Sequence, residues 1–180
     1  MRVITGTARG KRLLEPKGND VRPTTDLVKE SLFSILQFDV PGRRVLDLFA
    51  GTGQLGIEAL SRGAAECVFV DNDPASLALV RENLRRCGLE GQVVRSDAEK
   101  YLSHCGTFDL VLVDPPYHAG LYKKILEALF RFDILSVGGI IAVESMHGEE
   151  LPGAVLPYLR GRDYRYGKVA LTLYSRGSQS

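Results

Sequence analysis

Residues 112–117 read Leu-Val-Asp-Pro-Pro-Tyr, placing an acid, two prolines and an aromatic ring directly after an apolar run, Phe108 to Val113, with the composition of a buried strand. Neither Pro115 nor Pro116 can donate to a ladder, and two in succession hold the chain extended, so the strand stops here. Stiffened in this way, the proline carbonyls point in fixed directions beside the Asp114 carboxylate, and Tyr117 adds a flat apolar face. Acceptors for N–H bonds next to an aromatic platform make a receptor for a planar heterocycle that carries an exocyclic amine. A plainer alternative is a turn that merely ends a strand, with Tyr117 on its rim. It accounts for the prolines but not for the acid and the ring together.

Three further places put acids just after apolar runs. In Asp47-Leu-Phe-Ala-Gly-Thr-Gly-Gln-Leu-Gly56, the residues Gly51, Gly53 and Gly56 satisfy the G-x-G-x-x-G spacing of a dinucleotide loop. The same spacing also suits a tight strand-to-helix turn that needs glycine for positive φ and close packing. Asp47, inside the strand end and followed by Phe49 and Ala50, suits a ligand with a positive pole and would repel a pyrophosphate. Asp71 ends the next apolar run, 20 residues after Gly51, where an acid can accept bonds from ribose hydroxyls. Asp73 directly precedes Pro74 and reads as a helix cap. In Arg-Ser-Asp-Ala-Glu, Ser96 and Glu99 have capping-box spacing, and Asp97 has two readings: part of that helix entrance, or an acceptor for an adenine amino group.

The elements that must position these residues follow from the alternation of apolar runs and breakers. Residues 43–51 predict a strand and 54–63 a helix closed by Gly63; residues 66–73 predict a strand and 74–88 a helix. Residues 92–97 with 98–104, and 108–114 with 121–132, form third and fourth pairs, and Gly138–Glu144 supplies a fifth strand. Strand and helix in alternation with short connections predict a doubly wound α/β domain with a mostly parallel sheet. Residues 164–176 break the pattern with a closing antiparallel hairpin that turns at Gly167 and Lys168, which brings the expected sheet to seven strands. Ahead of the sheet, residues 21–36 read as an amphipathic helix with Val28, Leu32, Ile35 and Leu36 on one side, after a basic extension. The expected organisation is an N-terminal extension and helix over 1–40 and a single compact unit over 41–180. In such folds ligands bind at the carboxyl ends of the strands, where strand order reverses.

At 180 residues and 44% hydrophobic content the chain can bury a full core. Cys67, Cys87 and Cys105 are scattered, with no metal-ligand spacing, and read as buried thiols in a reducing compartment rather than as a metal site. No leader and no membrane-length apolar run is apparent, so a soluble cytoplasmic protein, expected as a monomer, is the reading. The net charge is only +1, yet residues 1–12 carry Arg2, Arg9, Lys11 and Arg12 with no acid. Residues 156–180 carry Arg160, Arg162, Arg165, Lys168 and Arg176 against Asp163 alone. Two basic ends on an acidic body fit a polyanionic partner held by the ends, or simply solvated termini.

The combination of Asp47-Leu-Phe-Ala-Gly-Thr-Gly, an acid ending the next strand, and Asp114-Pro-Pro-Tyr117 resembles the Rossmann-like S-adenosylmethionine-dependent methyltransferases that act on exocyclic amines. More narrowly, residues 2–36, residues 47–64 and the closing Tyr166–Tyr174 resemble the bacterial 16S ribosomal RNA (guanine-N2)-methyltransferase family over essentially the whole chain. That resemblance implies S-adenosyl-L-methionine as cofactor, no metal, and 16S ribosomal RNA as partner, naked or within a small subunit or assembly particle. It implies that Asp47, Ala50, Gly51 and Gly53 line the methionine end, that Asp71 and Asn72 hold the ribose, and that Asp97 and Ala98 meet the adenine. Asp114, Pro115, Pro116 and Tyr117 become the catalytic tetrapeptide. Arg9, Lys11, Arg12, Arg22, Thr24 and Thr25 become candidates for RNA contact. Rival readings are adenine N6 in DNA or a protein glutamine as target, a nicotinamide-dependent oxidoreductase, and a noncatalytic RNA-binding module.

Overall fold

A computed structural model describes residues 1–16, 25–116 and 120–178. Seven strands form one sheet in the order β3-β2-β1-β4-β5-β7-β6. They are β1 (Arg44–Leu48), β2 (Glu66–Asp71), β3 (Gln92–Arg95), β4 (Phe108–Val113), β5 (Leu135–Met146), β6 (Tyr158–Tyr166) and β7 (Val169–Arg176). The first five run parallel, and β7 lies antiparallel to both β5 and β6. The doubly wound expectation therefore holds, with β5 and β6 longer than the sequence pattern suggests. Both run past the expected bounds because glycines interrupt their apolar pattern: Gly138 and Gly139 in β5, Gly161 in β6.

Two helical layers cover the sheet. On one face lie α1 (Asp26–Ile35), α2 (Gln54–Ser61) and α3 (Pro74–Cys87), whose Leu32, Ile57 and Val80 pack with Val45, Leu110, Leu112 and Leu171. On the other lie α4 (Ala98–Leu102) and α5 (Leu121–Arg131), whose Leu102, Ile125 and Leu129 pack with Leu46, Val111 and Val143. Neighbouring sheet residues thus alternate between the two cores, as the pleat requires. Among the described residues no helix is long and apolar enough to cross a membrane.

Helix starts obey local chemistry. Thr25 caps α1, its hydroxyl accepting the Val28 N–H at 3.3 Å, and Asp73 caps α3 by accepting from Ala75 and Ser76. The expected box of Ser96 and Glu99 does not form. Asp97 is itself the cap of α4, accepting the Lys100 N–H at 3.1 Å, while Glu99 turns outward to Lys124 and Arg131. The longer Glu99 side chain finds cations within reach, and the shorter Asp97 fits the cap. The thiols also depart from expectation: Cys67 is buried, but Cys87 and Cys105 are only partly so.

Candidate active site

The strand order reverses between β1 and β4, which pair in register from Val45 with Leu110 to Leu48 with Val113. The chain leaves β1 through a strained turn. Phe49 takes φ 68°, a conformation that costs a non-glycine residue about 1–3 kcal/mol, and Gly51 and Gly53 follow at 54° and 78°. The Ala50 N–H reaches the Val70 carbonyl (2.9 Å), tying the turn to β2 before Gly53 starts α2. Gly56 answers a different need: a Cβ there would lie 2.3 Å from the Phe69 ring and 2.7 Å from Cys67 Sγ. It lets α2 lie against β2.

The loop's three glycine N–H groups all have partners inside the protein. Gly51 donates to Asp71 Oδ2 (2.9 Å), Gly53 to the Ala50 carbonyl (2.7 Å) and Gly56 to Asp47 Oδ2 (2.8 Å). These are the groups that a dinucleotide loop presents to a pyrophosphate. Two of these partners are carboxyl groups, those of Asp47 and Asp71. Asp71 holds the Asp73 N–H with its second oxygen (2.9 Å), and Asp47 sits almost closed from solvent at 2% exposure. Burial pushes the Asp47 carboxyl up to about 8; the Gly56 N–H opposes the rise, and the charges of Asp114 and Asp71 add to it. Burial of its strand end therefore works against the charge that the sequence suggests for Asp47, and a cation placed beside it would favour that charge again.

Asp114 follows Val113 directly, half-buried, with Pro115 buried and Pro116 exposed behind it. Its influence on Asp47 puts the two acids on neighbouring strand ends in electrostatic contact. Asp71 lies at the end of β2, with exposed Asn72 beside it, and Asp97 and buried Ala98 lie beyond β3 at the same edge of the sheet. Asp47, Ala50, Gly51, Gly53, Asp71 and Asp114 therefore lie together at the carboxyl edge of the sheet, beside the β1–β4 reversal. Asp97 stands exposed at its margin, and its capping bond occupies one oxygen only. Tyr117, Arg22 and Thr24 lie outside the described residues.

Residues 1–13 form a hairpin, not a loose arm. Val3 donates to the Lys11 carbonyl, Gly10 to Val3, and Arg2 bridges to Arg12. Val3, Ala8 and Leu13 enter the core on the α1–α3 face. Glu58 of α2, fully buried, accepts the N–H groups of Ile4 (2.8 Å) and Thr5 (3.0 Å) and the Arg62 guanidinium (2.8 Å). Ser61 Oγ accepts from Ala8 and donates to the Thr5 carbonyl. Buried Lys29 of α1 donates to the Arg2 carbonyl at 2.6 Å. Arg9, Lys11 and Arg12 remain exposed on this frame, as does Thr25. At the other end of the chain the positive charge is partly committed, since Arg160 pairs with Asp163 and Arg176 with Asp133. Sequence reasoning missed Lys29, Glu58, Ser61 and Asn83. Their signal was present: each is a polar residue on the apolar side of a helix.

The model of a family described as conserved hypothetical protein 95 matches residues 1–175. Ribosomal RNA small subunit methyltransferase D of Escherichia coli (strain K12) is 37% identical over 182 residues, covering 99% of this chain and 91% of that protein. Among solved structures, yhhF of Escherichia coli, described as a candidate methyltransferase, is similar with a TM-score of 0.89 and 34% identity over 99% of each chain. A Thermus thermophilus 16S rRNA N2 methyltransferase, solved in complex with AdoMet and guanosine, is similar with a TM-score of 0.68 and 25% identity, covering 90% of this chain and 45% of that one.

Proposed function

Because this chain belongs to the conserved hypothetical protein 95 family, together with the ribosomal RNA small subunit methyltransferase D proteins, we propose that it methylates the exocyclic N2 of a guanine in 16S ribosomal RNA. The cofactor is S-adenosyl-L-methionine, which when bound supplies an activated methyl group on a positively charged sulfur. One observation carries this reading: the three glycine N–H groups of the loop are engaged internally, and the carboxyl groups of Asp47, Asp71 and Asp114 stand beside it. With these glycine donors taken and acids beside the loop, the site fits a ligand with a cationic end and disfavours the pyrophosphate of a nicotinamide dinucleotide. Asp47, Ala50, Gly51 and Gly53 would meet the cationic end, Asp71 and Asn72 the ribose, and Asp97 and Ala98 the adenine.

The chain's own contribution is positioning. A guanine amine is a weak nucleophile because its lone pair is delocalised into the ring. The Asp114 carboxylate and the Pro115 carbonyl accept the amine N–H bonds and favour a more tetrahedral nitrogen, and the ring of Tyr117 gives the base a stacking surface. Pro115 and Pro116 keep these acceptors fixed. The target amine lies inside a base pair, so the guanine must be unpaired or flipped out, with Arg9, Lys11, Arg12, Arg22, Thr24 and Thr25 steadying the RNA backbone around it.

The test is to incubate the protein with labelled S-adenosylmethionine and small ribosomal particles that lack methylation, then to identify the modified nucleoside. N2-methylguanosine is the expected product; label on adenine N6, or none, overturns the assignment. The Asp114→Ala variant should lose on the order of 100-fold in transfer rate with cofactor affinity little changed.

A further inference from the structure

We propose that Asn83 is a positioning residue that fastens the N-terminal hairpin to the back of the glycine loop, so that RNA on the hairpin and cofactor on the loop bind cooperatively. The proposal rests on the function assigned above, in that it takes the loop to be the cofactor site and the hairpin to be an RNA contact. Asn83 lies on α3 with no exposed surface. At the foot of the hairpin, on the residue that directly follows it, its Oδ1 accepts the Leu14 N–H at 2.7 Å and its Nδ2 donates to the Leu14 carbonyl at 3.2 Å. Toward the loop, the same Nδ2 donates to the Thr52 carbonyl at 2.9 Å. Only an amide can pair with a peptide unit in both directions and still reach a second carbonyl. A carboxylate has no donor, and an aliphatic side chain has neither function.

Thr52 stands between Gly51 and Gly53, both at positive φ, so its carbonyl is held by the conformation that shapes the loop. A second touch supports the first: the Thr52 hydroxyl lies 3.5 Å from Met1 Sδ. The hairpin's far end is fixed independently, with Thr7 donating to the Ser61 carbonyl at 2.8 Å and Glu58 holding Ile4 and Thr5. Glu58 and Ser61 belong to α2, the helix that Gly53 begins. The hairpin is thus attached at one end to the loop and at the other to the helix leaving it. Loop and hairpin cannot shift separately without breaking hydrogen bonds that are buried or partly buried, and ordering either one lowers the entropy left to lose in the other. Any such coupling acts equally in both directions.

The experiment measures the S-adenosylmethionine dissociation constant of the full-length protein, alone and with a saturating amount of small ribosomal subunits lacking the modification. The wild-type protein should bind the cofactor about 5-fold or more tightly with the subunits present. In Asn83→Ala that ratio should fall to near one. Leu14→Pro removes the shorter of the two bonds between Asn83 and Leu14 while leaving the bond to Thr52, and should lower the ratio toward one with cofactor affinity in the absence of subunits retained. This second variant keeps the test decisive if Asn83→Ala folds poorly. A purely structural Asn83 would weaken cofactor binding equally in both conditions, leaving the ratio intact and overturning the proposal, as would a wild-type ratio of one. A wild-type protein that binds neither cofactor nor subunits overturns the functional assignment instead.

Discussion

Replacing Asp47 by Asn should flatten the pH dependence of stability. In the folded protein burial raises this carboxyl to about 8, against an ordinary value of 3.8 in the unfolded chain. Between those values the native state holds more protons than the unfolded one, so stability falls as pH rises and the loss is complete once pH passes the folded value. From about pH 6 to about pH 8 a single group of this kind removes about 2 kcal/mol. For a domain of this size that is a fall in melting temperature of about 4–8 °C. The amide introduced by Asp47→Asn keeps an oxygen for the Gly56 N–H and cannot ionise, so the variant should lack this component. Melting the two proteins side by side across this range cancels every contribution that they share. Parallel curves would refute the argument, because they would mean that Asp47 is already ionised in the fold.

The same acid predicts that cofactor binding releases protons. A cationic ligand beside Asp47 favours its ionised form, so calorimetry near neutral pH, in buffers of different ionisation enthalpy, should show up to one proton released by the wild type and none from this site in Asp47→Asn. Gly6→Ala would place a Cβ 1.7 Å from the Ser61 carbonyl oxygen at a φ of 88°, and should cost about 3 kcal/mol in denaturant unfolding. Wild-type stability there would mean that the hairpin does not lie against α2. Exchanging Arg9, Lys11 and Arg12 together for Gln should weaken binding to the ribosomal particle and lower the slope of log affinity against log salt by about 2; an unchanged slope takes these residues out of the interface.

Much of this arrangement was legible before any coordinates. The alternation of apolar runs with Gly and Pro located each strand and helix, because the βα unit is local and its breakers act within a few residues. Asp71, Asp114 and the glycine loop were placed correctly at strand ends, since a parallel sheet brings all its carboxyl ends to one edge. Ionisation was not legible. Whether Asp47 carries its charge depends first on its burial and then on Asp114 and Asp71, which lie on two other stretches of chain and close around it only in the fold.

The hairpin marks the sharper limit. Residues 1–12, taken alone, are a basic run with a few apolar positions, indistinguishable from a solvated arm. What makes them a fixed platform is the set of partners supplied by Lys29, Glu58, Ser61 and Asn83, each spaced for burial and each unsuited to it unless a polar group arrives from elsewhere. A buried polar residue on an apolar helix face therefore signals that some segment distant in sequence must dock there, and the two peptide-like bonds of Asn83 to Leu14 identify that segment. The exposed cations of the hairpin acquire a defined position on the fold because these partners are satisfied. Removing one partner should thus disturb the placement of the hairpin more than it disturbs the sheet.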